Sequence, residues 1–421
     1  MTGLVLVALA GAAALAPALA VAQSCPLGPL VACDPSGPPA PPRAGGDGAT
    51  EEAPPAAGSA KVPPPLAIGL TESDPRLLVP GGTAGRAARM VVALRPEYVR
   101  VLVPWERLQP RAGRKPNWDA PPGGCPRMNP NCRSDHSLRD LLRAIRYRQQ
   151  ADGGWKVLVV PYFTPSWAAS RFTGCQRARS RHPRAQLPRI TSYRRFLRRL
   201  NALADKVGIR LDYVTPWNEP NHPAFLQPQR ATCDRLAPAV SPRAYATLVR
   251  AAQQELRPAQ TLVLGSLAGL QPEVYGAGAA EFIRGLPRDV ACAEGPFAQH
   301  AYVGWRARRG QPLRRASPAS AARRGLLDGV LAALDAQGCA QTKRLWIAET
   351  GTFDHRCEGM AAALHAWAHD DRIDAAFQFT FREAHAFPVG LVSPSLTRTY
   401  RSHRAWFAFA GGPPQVPPSP C

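Results

Sequence analysis

Acidic residues are scarce in this 421-residue chain: 30 Asp and Glu stand against 52 Lys and Arg, for a formal net charge of +22. Lysine is scarcer still, so the excess is nearly all arginine. It is dispersed, with short clusters at 177–184 and 306–315, and it accompanies high Ala and Pro. That pattern is a compositional bias rather than one basic face, and no recognised nucleic-acid module is present, so no nucleic-acid partner is expected. No Cys-x-x-Cys pair occurs among the ten cysteines, and neither zinc nor any other cofactor is expected. A phosphate-binding loop is missing too. Gly81-Gly82-Thr83-Ala84-Gly85 lies too far past a strand and has no following Lys, which leaves it as a surface turn and argues against an open dinucleotide-binding sheet.

No Lys or Arg precedes Arg43, so the basic start of a secretory signal is absent. The rest of such a signal is present. Leu4 to Ala22 is apolar, and Ala20-Val21-Ala22 fits cleavage before Gln23. Gly11 and Pro17 interrupt the stretch, which makes it a poor membrane anchor. A signal peptide over 1–22 is therefore expected, with export, no stable membrane association and oxidised cysteines. A Pro/Gly/Ala-rich linker follows over 23–65, and a Pro-rich tail covers 411–421.

From 66 to 410 short apolar runs alternate with helical patterns. The runs are Leu66–Leu70, Tyr98–Val103, Lys156–Pro161, Leu211–Thr215, Thr261–Gly265, Pro296–His300, Arg344–Ala348 and Ala375–Thr380. Several are continuously apolar, as strands buried on both faces are. Ser241-Pro242 and Ser317-Pro318 read as helix starts, Ser192 begins another apolar helical face, and a last helix is expected around Thr399–Phe409. Eight strand–helix units predict an α/β fold, a closed (β/α)8 TIM barrel forming one catalytic domain. Cys292 and Cys339 precede strands six and seven and should pair. Cys175 and Cys233 lie in loops after strands three and four, where a bridge is expected, and Cys125 and Cys132 suit a local staple. Cys25, Cys33, Cys357 and Cys421 have no assigned partners.

In such a barrel the reactive groups sit at the C-terminal ends of strands. Strand four ends in Trp217-Asn218-Glu219-Pro220-Asn221, and strand seven in Ile347-Ala348-Glu349-Thr350-Gly351. A carboxylate after an apolar strand is costly unless paired or used. Two of them supply what glycosidic hydrolysis needs, an acid for the leaving oxygen and a nucleophile or stabiliser for the anomeric carbon. Arg100, His300, Tyr302, Trp105, Tyr162, Trp167 and Trp217 also gather at strand ends, where they fit substrate binding. Each of these rings also fits plain packing. Glu106 and Glu383 are further partners for sugar hydroxyls.

These motifs resemble clan A of the glycoside hydrolases, in the style of the cellulase-like family 5 and the xylosidase-like family 39. The resemblance covers roughly 66–410. It implies that Glu219 is the acid/base, Glu349 the nucleophile, and Asn218 the partner of the sugar 2-hydroxyl. It also implies that Arg100 and Tyr302 lie near the nucleophile. Strand eight departs from the pattern: Gln378-Phe379-Thr380-Phe381 stands where family 5 usually has a Trp platform. The reading is a secreted, monomeric, retaining glycosidase acting on an extracellular glycan by double displacement. Its rivals are a carbohydrate-binding barrel without catalysis and a basic, cell-wall-associated structural protein.

Overall fold

Runs of Val, Leu and Ile, each followed by a helix that carries the chain back, can pair only in parallel. The computed structural model describes residues 66–79, 84–120, 137–151, 154–171, 183–234, 236–269, 276–303, 324–384, 387–410 and 421, all within the compact unit Lys61–Cys421. Eight parallel strands close a barrel: β1 Ala67–Thr71, β2 Tyr98–Pro104, β3 Lys156–Tyr162, β4 Tyr213–Val214, β5, β6 Phe297–His300, β7 Leu345–Thr350 and β8 Ile373–Phe379. β5 comes in two pieces, Thr261–Leu262 against β4 and Leu264–Leu267 against β6. The ring passes through that break, and β1 lies between β2 and β8. All eight expected runs are strands. The surrounding helices are α1 Gly85–Ala93, α2 Leu138–Ala151, α3 Ile190–Val207, α4 Ser241–Gln253, α5 Ala279–Arg284, α6 Arg324–Asp335, α7 Cys357–Ala368 and α8 Ser402–Phe409.

Strand alternation divides the apolar side chains into two cores. Inside the barrel lie Tyr98, Leu158, Val160, Val263, Ala298, Trp346, Ala348, Ala375 and Phe377. The interleaved residues, such as Val99, Val101, Val157, Val159 and Ile347, join the larger core between strands and helices. Rings fill the inner core: Tyr98 lies 4.8 Å from Trp346 and 5.7 Å from Phe377, and Trp346 lies 4.9 Å from Tyr213. Gly69 on β1 makes room for them. A Cβ there would stand 2.2 Å from the Phe377 ring. Gly69→Ala should therefore destabilise the fold by about 1–3 kcal/mol through overpacking. In denaturant titrations the loss should shrink when Phe377 is also reduced to Leu, and a purely additive double variant would refute the packing account.

Cys292 and Cys339 are bonded, with Cα atoms 5.2 Å apart, at the end of the barrel where β6 and β7 begin. A second bridge joins Cys357, the first residue of α7, to Cys421. Loop closure of this size stabilises by about 4 kcal/mol in the chain-entropy picture. Cys233 is disulfide-bonded, while Cys175, Cys125 and Cys132 lie outside the described residues, as do the expected signal peptide, the linker and Ser317-Pro318. Three helix boundaries differ from expectation. Ser241 is the first helical residue rather than the cap, α3 opens at Ile190 rather than Ser192, and α8 opens at Ser402 rather than Thr399. Val240 and Arg189, which make no side-chain cap bond, take the cap positions. Among the described residues no helix is long and apolar enough to cross a membrane.

Candidate active site

β4 is only two residues long, so the chain leaves the barrel early and its next polar residues hang over the mouth. Four members of Trp217-Asn218-Glu219-Pro220-Asn221 are fixed there by hydrogen bonds. Trp217 is fully buried and donates its Nε1–H to the Phe225 carbonyl at 2.8 Å. Asn221 spans to β5, accepting from the Ala268 N–H at 2.8 Å and donating to the Ala268 carbonyl at 2.9 Å. Asn218 accepts from Arg100 at 2.7 Å. Glu219 itself sits at φ 42°, a left-handed conformation that non-glycine residues rarely adopt. Its N–H donates to the carbonyl of Ser266, at φ 54°, at 3.0 Å.

Glu349, near the end of β7, faces this turn. Its Oε1 pairs with Arg100 Nη1 at 2.7 Å, and its Oε2 accepts from the Tyr302 hydroxyl at 2.5 Å. Arg100 is fully buried, so one guanidinium holds both Glu349 and Asn218. Between the carboxylates stands His300, the last residue of β6. Its Nδ1 lies 2.8 Å from Glu219 Oε1 and 3.3 Å from Glu349 Oε2. Its Nε2 lies 2.9 Å from the buried Ser266 hydroxyl. Ser266 thus holds the backbone of Glu219 through its carbonyl and the ring of His300 through its side chain. An oxygen of Glu219, an oxygen of Glu349 and a nitrogen of His300 all lie within 4.8 Å of one another.

That spacing also suits a metal ion, but both Glu349 oxygens are already engaged, by a cation and by a hydroxyl. The donor set therefore reads as a proton-handling site. A second cluster lies away from this site. His365 and His369 lie one turn apart on α7 with rings 4.1 Å apart. Among the described residues they are not joined by the third ligand that a metal site of this kind needs.

The electrostatics overturn one simple expectation. A second carboxylate nearby should raise Glu219. Burial does push it up. The hydrogen bond and charge of His300, aided by the charges of His222 and Arg100, outweigh burial and leave the Glu219 carboxyl below its ordinary value. The imidazole takes the place that repulsion from Glu349 would have filled. Burial, then the charge and hydrogen bond of Glu349, hold the Tyr302 phenol well above its usual range, so it remains a donor. Burial and the Glu349 charge push Tyr162 up to about 12 against the pull of Arg107, Arg184 and Arg100. His222 is pushed down by burial against the opposing pull of Glu219. Removing the imidazole by His300→Ala should therefore take away the strongest opposition to burial and move Glu219 upward. Carbon-13 NMR of its carboxyl should show protonation at higher pH, and an unchanged titration would break this account. Glu219's ionised form is favoured by folding, so its contribution to stability is present above pH 4.5 and is lost as pH falls below that value.

The structure thus brings Glu219, Glu349, Asn218, Arg100, His300 and Tyr302 together. Tyr162 lies within their electrostatic reach but is almost wholly buried. The tryptophans belong elsewhere. Trp105 has no exposed surface, stacks on Phe196 at 4.9 Å and donates to Gln109; Trp217 is equally enclosed. Trp167 meets Trp105 edge-on and donates to the Gln109 carbonyl. Trp105 and Trp217 belong to the core between strands and helices, and Trp167 packs against it. Glu383 binds Tyr400 and His355 in the loops rather than facing the carboxylates. Phe379 ends β8 in place of the Trp, and with Phe353 and Phe387 it surrounds Tyr302 at 4.9–6.4 Å. No sequence motif marks Ser266 and Glu72, which lie at the ends of β5 and β1. Glu72 is raised to about 7 by burial, opposed by N–H donors from Arg382, Asp74 and Ser73, and it ties β1 to the segment after β8.

No family model matches the chain, and no curated protein matches it either. Solved structures do. A GH30 endoxylanase from Clostridium papyrosolvens C71 aligns over 83% of this chain and 73% of its own, at 13% identity and a TM-score of 0.50. A monomeric beta-xylosidase from Caulobacter crescentus CB15 aligns over 83% and 69%, at 16% identity and a TM-score of 0.50. A GH5_18 structure from Bifidobacterium longum subsp. infantis aligns over 82% and 79%, at 14% identity and a TM-score of 0.50. The chain shares the (β/α)8 fold of these structures, which come from glycoside hydrolase families that include the family 5 suggested by its motifs.

Proposed function

We propose that this protein is a retaining glycoside hydrolase that acts on a glycan outside the cell. The observation that carries the reading is the carboxylate pair. Glu219, after β4, and Glu349, on β7, each present an oxygen at the barrel mouth, and the two oxygens lie within 4.8 Å of each other. Double displacement needs carboxyl groups roughly 5–5.5 Å apart, whereas inversion needs about 6.5–9.5 Å to admit a water. Glu349 is the nucleophile, because Arg100 pairs with its Oε1 and the Tyr302 hydroxyl donates to its Oε2, which holds it in place for attack. Glu219 is the acid/base.

Because His300 depresses Glu219, the catalytic proton belongs to the pair rather than to one residue. Glu219 passes the proton to the leaving oxygen, with the Nδ1 of His300 held 2.8 Å from its Oε1. In the second step Glu219 removes a proton from water, which opens the glycosyl ester on Glu349. Asn218, oriented by Arg100, is placed for the sugar 2-hydroxyl, and Phe379, Phe353 and Phe387 offer an apolar wall to the ring. Export through the N-terminal apolar segment agrees with the disulfides. The structural neighbours named for xylan and xyloside chemistry make β-linked glycans the first to try. The test is release of reducing ends from a panel of glycans by the secreted full chain. Activity absent from Glu349→Ala supports the reading, and none on any glycan removes it.

A further inference from the structure

Among the described residues, two arginines beside the site have no carboxylate, an observation separate from the catalytic pair. Arg184 follows β3 by a loop, and its guanidinium carbon lies 4.1 Å from the centre of the Phe163 ring. Phe163, the residue after β3, stacks on Phe225 with centroids 5.4 Å apart and planes 4° from parallel. Phe225 belongs to the loop that Glu219 opens, and His222 in the same loop feels the Glu219 charge. Arg107 stands on the turn after β2 and is exposed. The field of both arginines reaches the Tyr162 hydroxyl, which the Glu349 charge also reaches. They therefore border the reaction centre on its β2–β4 side.

Elsewhere on the barrel, arginines find acids: Arg230 pairs with Glu281, Arg250 with Asp289 and Arg344 with Asp374. Among the described residues, neither Arg184 nor Arg107 forms a side-chain hydrogen bond or an ion pair, and the Arg184 Nε–H is buried without an acceptor. Glu106, the one acid on the Arg107 turn, pairs with neither. A guanidinium held flat on a ring keeps its fork free for a planar or tetrahedral anion, and most buried N–H groups have an acceptor.

We propose that this corner is a subsite for an anionic group on the glycan, a uronic carboxylate or a sulfate ester, held by Arg184 on the Phe163–Phe225 stack with Arg107 at the rim. The proposal rests on the glycosidase reading of the same mouth, and it narrows the substrate to acidic glycans. Binding is measured by calorimetry with Glu349→Gln protein, which keeps the ligand intact. The ligands are a uronic-acid-bearing xylo-oligosaccharide, its carboxyl-reduced counterpart and a sulfated counterpart. The acidic ligand should bind about tenfold more tightly than the reduced one, the value of one charge-assisted hydrogen-bonded contact. Added Arg184→Gln should bring the ratio close to one and leave binding of the neutral ligand unchanged, and Arg184→Lys should retain part of it. Preference for the uronic or the sulfated ligand identifies the anion, and either one supports the subsite.

Equal affinity for acidic and reduced ligands would overturn it. So would a preference for every polyanion, single-stranded polynucleotide included, that survives Arg184→Gln, since that belongs to the overall charge of +22. Unchanged melting temperatures show that the variants fold. Hydrolysis of neutral glycans without an acidic preference removes this inference alone. Arg184-dependent binding without hydrolysis of any ligand removes the glycosidase reading and leaves the subsite standing.

Discussion

Glu349→Gln should lower kcat by at least about 10⁴-fold on any substrate the wild type cleaves, because in the proposed double displacement it removes the atom that forms the glycosyl ester. The amide keeps the shape and still faces Arg100 and Tyr302, so the fold should survive. It cannot carry the negative charge to which Arg100 Nη1 is paired at 2.7 Å and toward which Tyr302 donates at 2.5 Å. The loss should be the same for substrates with good and poor leaving groups, since the bond to the enzyme fails to form in either case. Small external anions should restore little, as they cannot reach the anomeric carbon from the face that the amide still blocks. Initial-rate kinetics across an aryl glycoside series checks this. A loss that varied steeply with leaving-group acidity would show that Glu349 acts as the acid instead.

Glu219→Gln has the second largest effect and a different signature. Without the acid the leaving oxygen departs unprotonated, so poor leaving groups should lose roughly 10²–10⁴-fold in rate. A nitrophenolate needs no proton and should form the glycosyl ester at nearly the wild-type rate. Turnover would then stall at the second step, because no base activates water, and an initial burst of phenolate should be visible. The pH profile carries a further expectation. If the catalytic proton is shared by Glu219 and His300, its basic limb reports the pair, and both Glu219→Gln and His300→Ala should displace it. A limb untouched by His300→Ala would return the proton to Glu219 alone and contradict the role given to the imidazole.

The barrel was legible because its strands are apolar on both faces. β3, with Val157 to Val160, and β7, with Leu345 to Ala348, admit few other readings. Glu219 and Glu349 were legible for the same physical reason: a carboxylate after such a strand stands out. The tryptophans were not. A ring near a strand end faces either the mouth or the helices, and one residue of register decides, as with Trp105, which turns outward onto Phe196. The direction of the Glu219 shift was illegible as well. It depends on His300 standing between two groups more than 80 positions from one member and about 50 from the other, a convergence only the closed ring produces. Ser266 carries no motif, and its double hold on Glu219 and His300 follows from a backbone angle that no pattern announces.

Stereochemistry tests the central claim most directly. Proton NMR of the first product formed by the wild-type chain from a glycoside of known anomeric configuration, recorded before mutarotation, separates the two mechanisms. Oxygens within 4.8 Å on Glu219 and Glu349 predict the same anomer in product as in substrate. An inverted product would mean that water attacks directly, and it would contradict both the nucleophile assigned to Glu349 and the double displacement built on it.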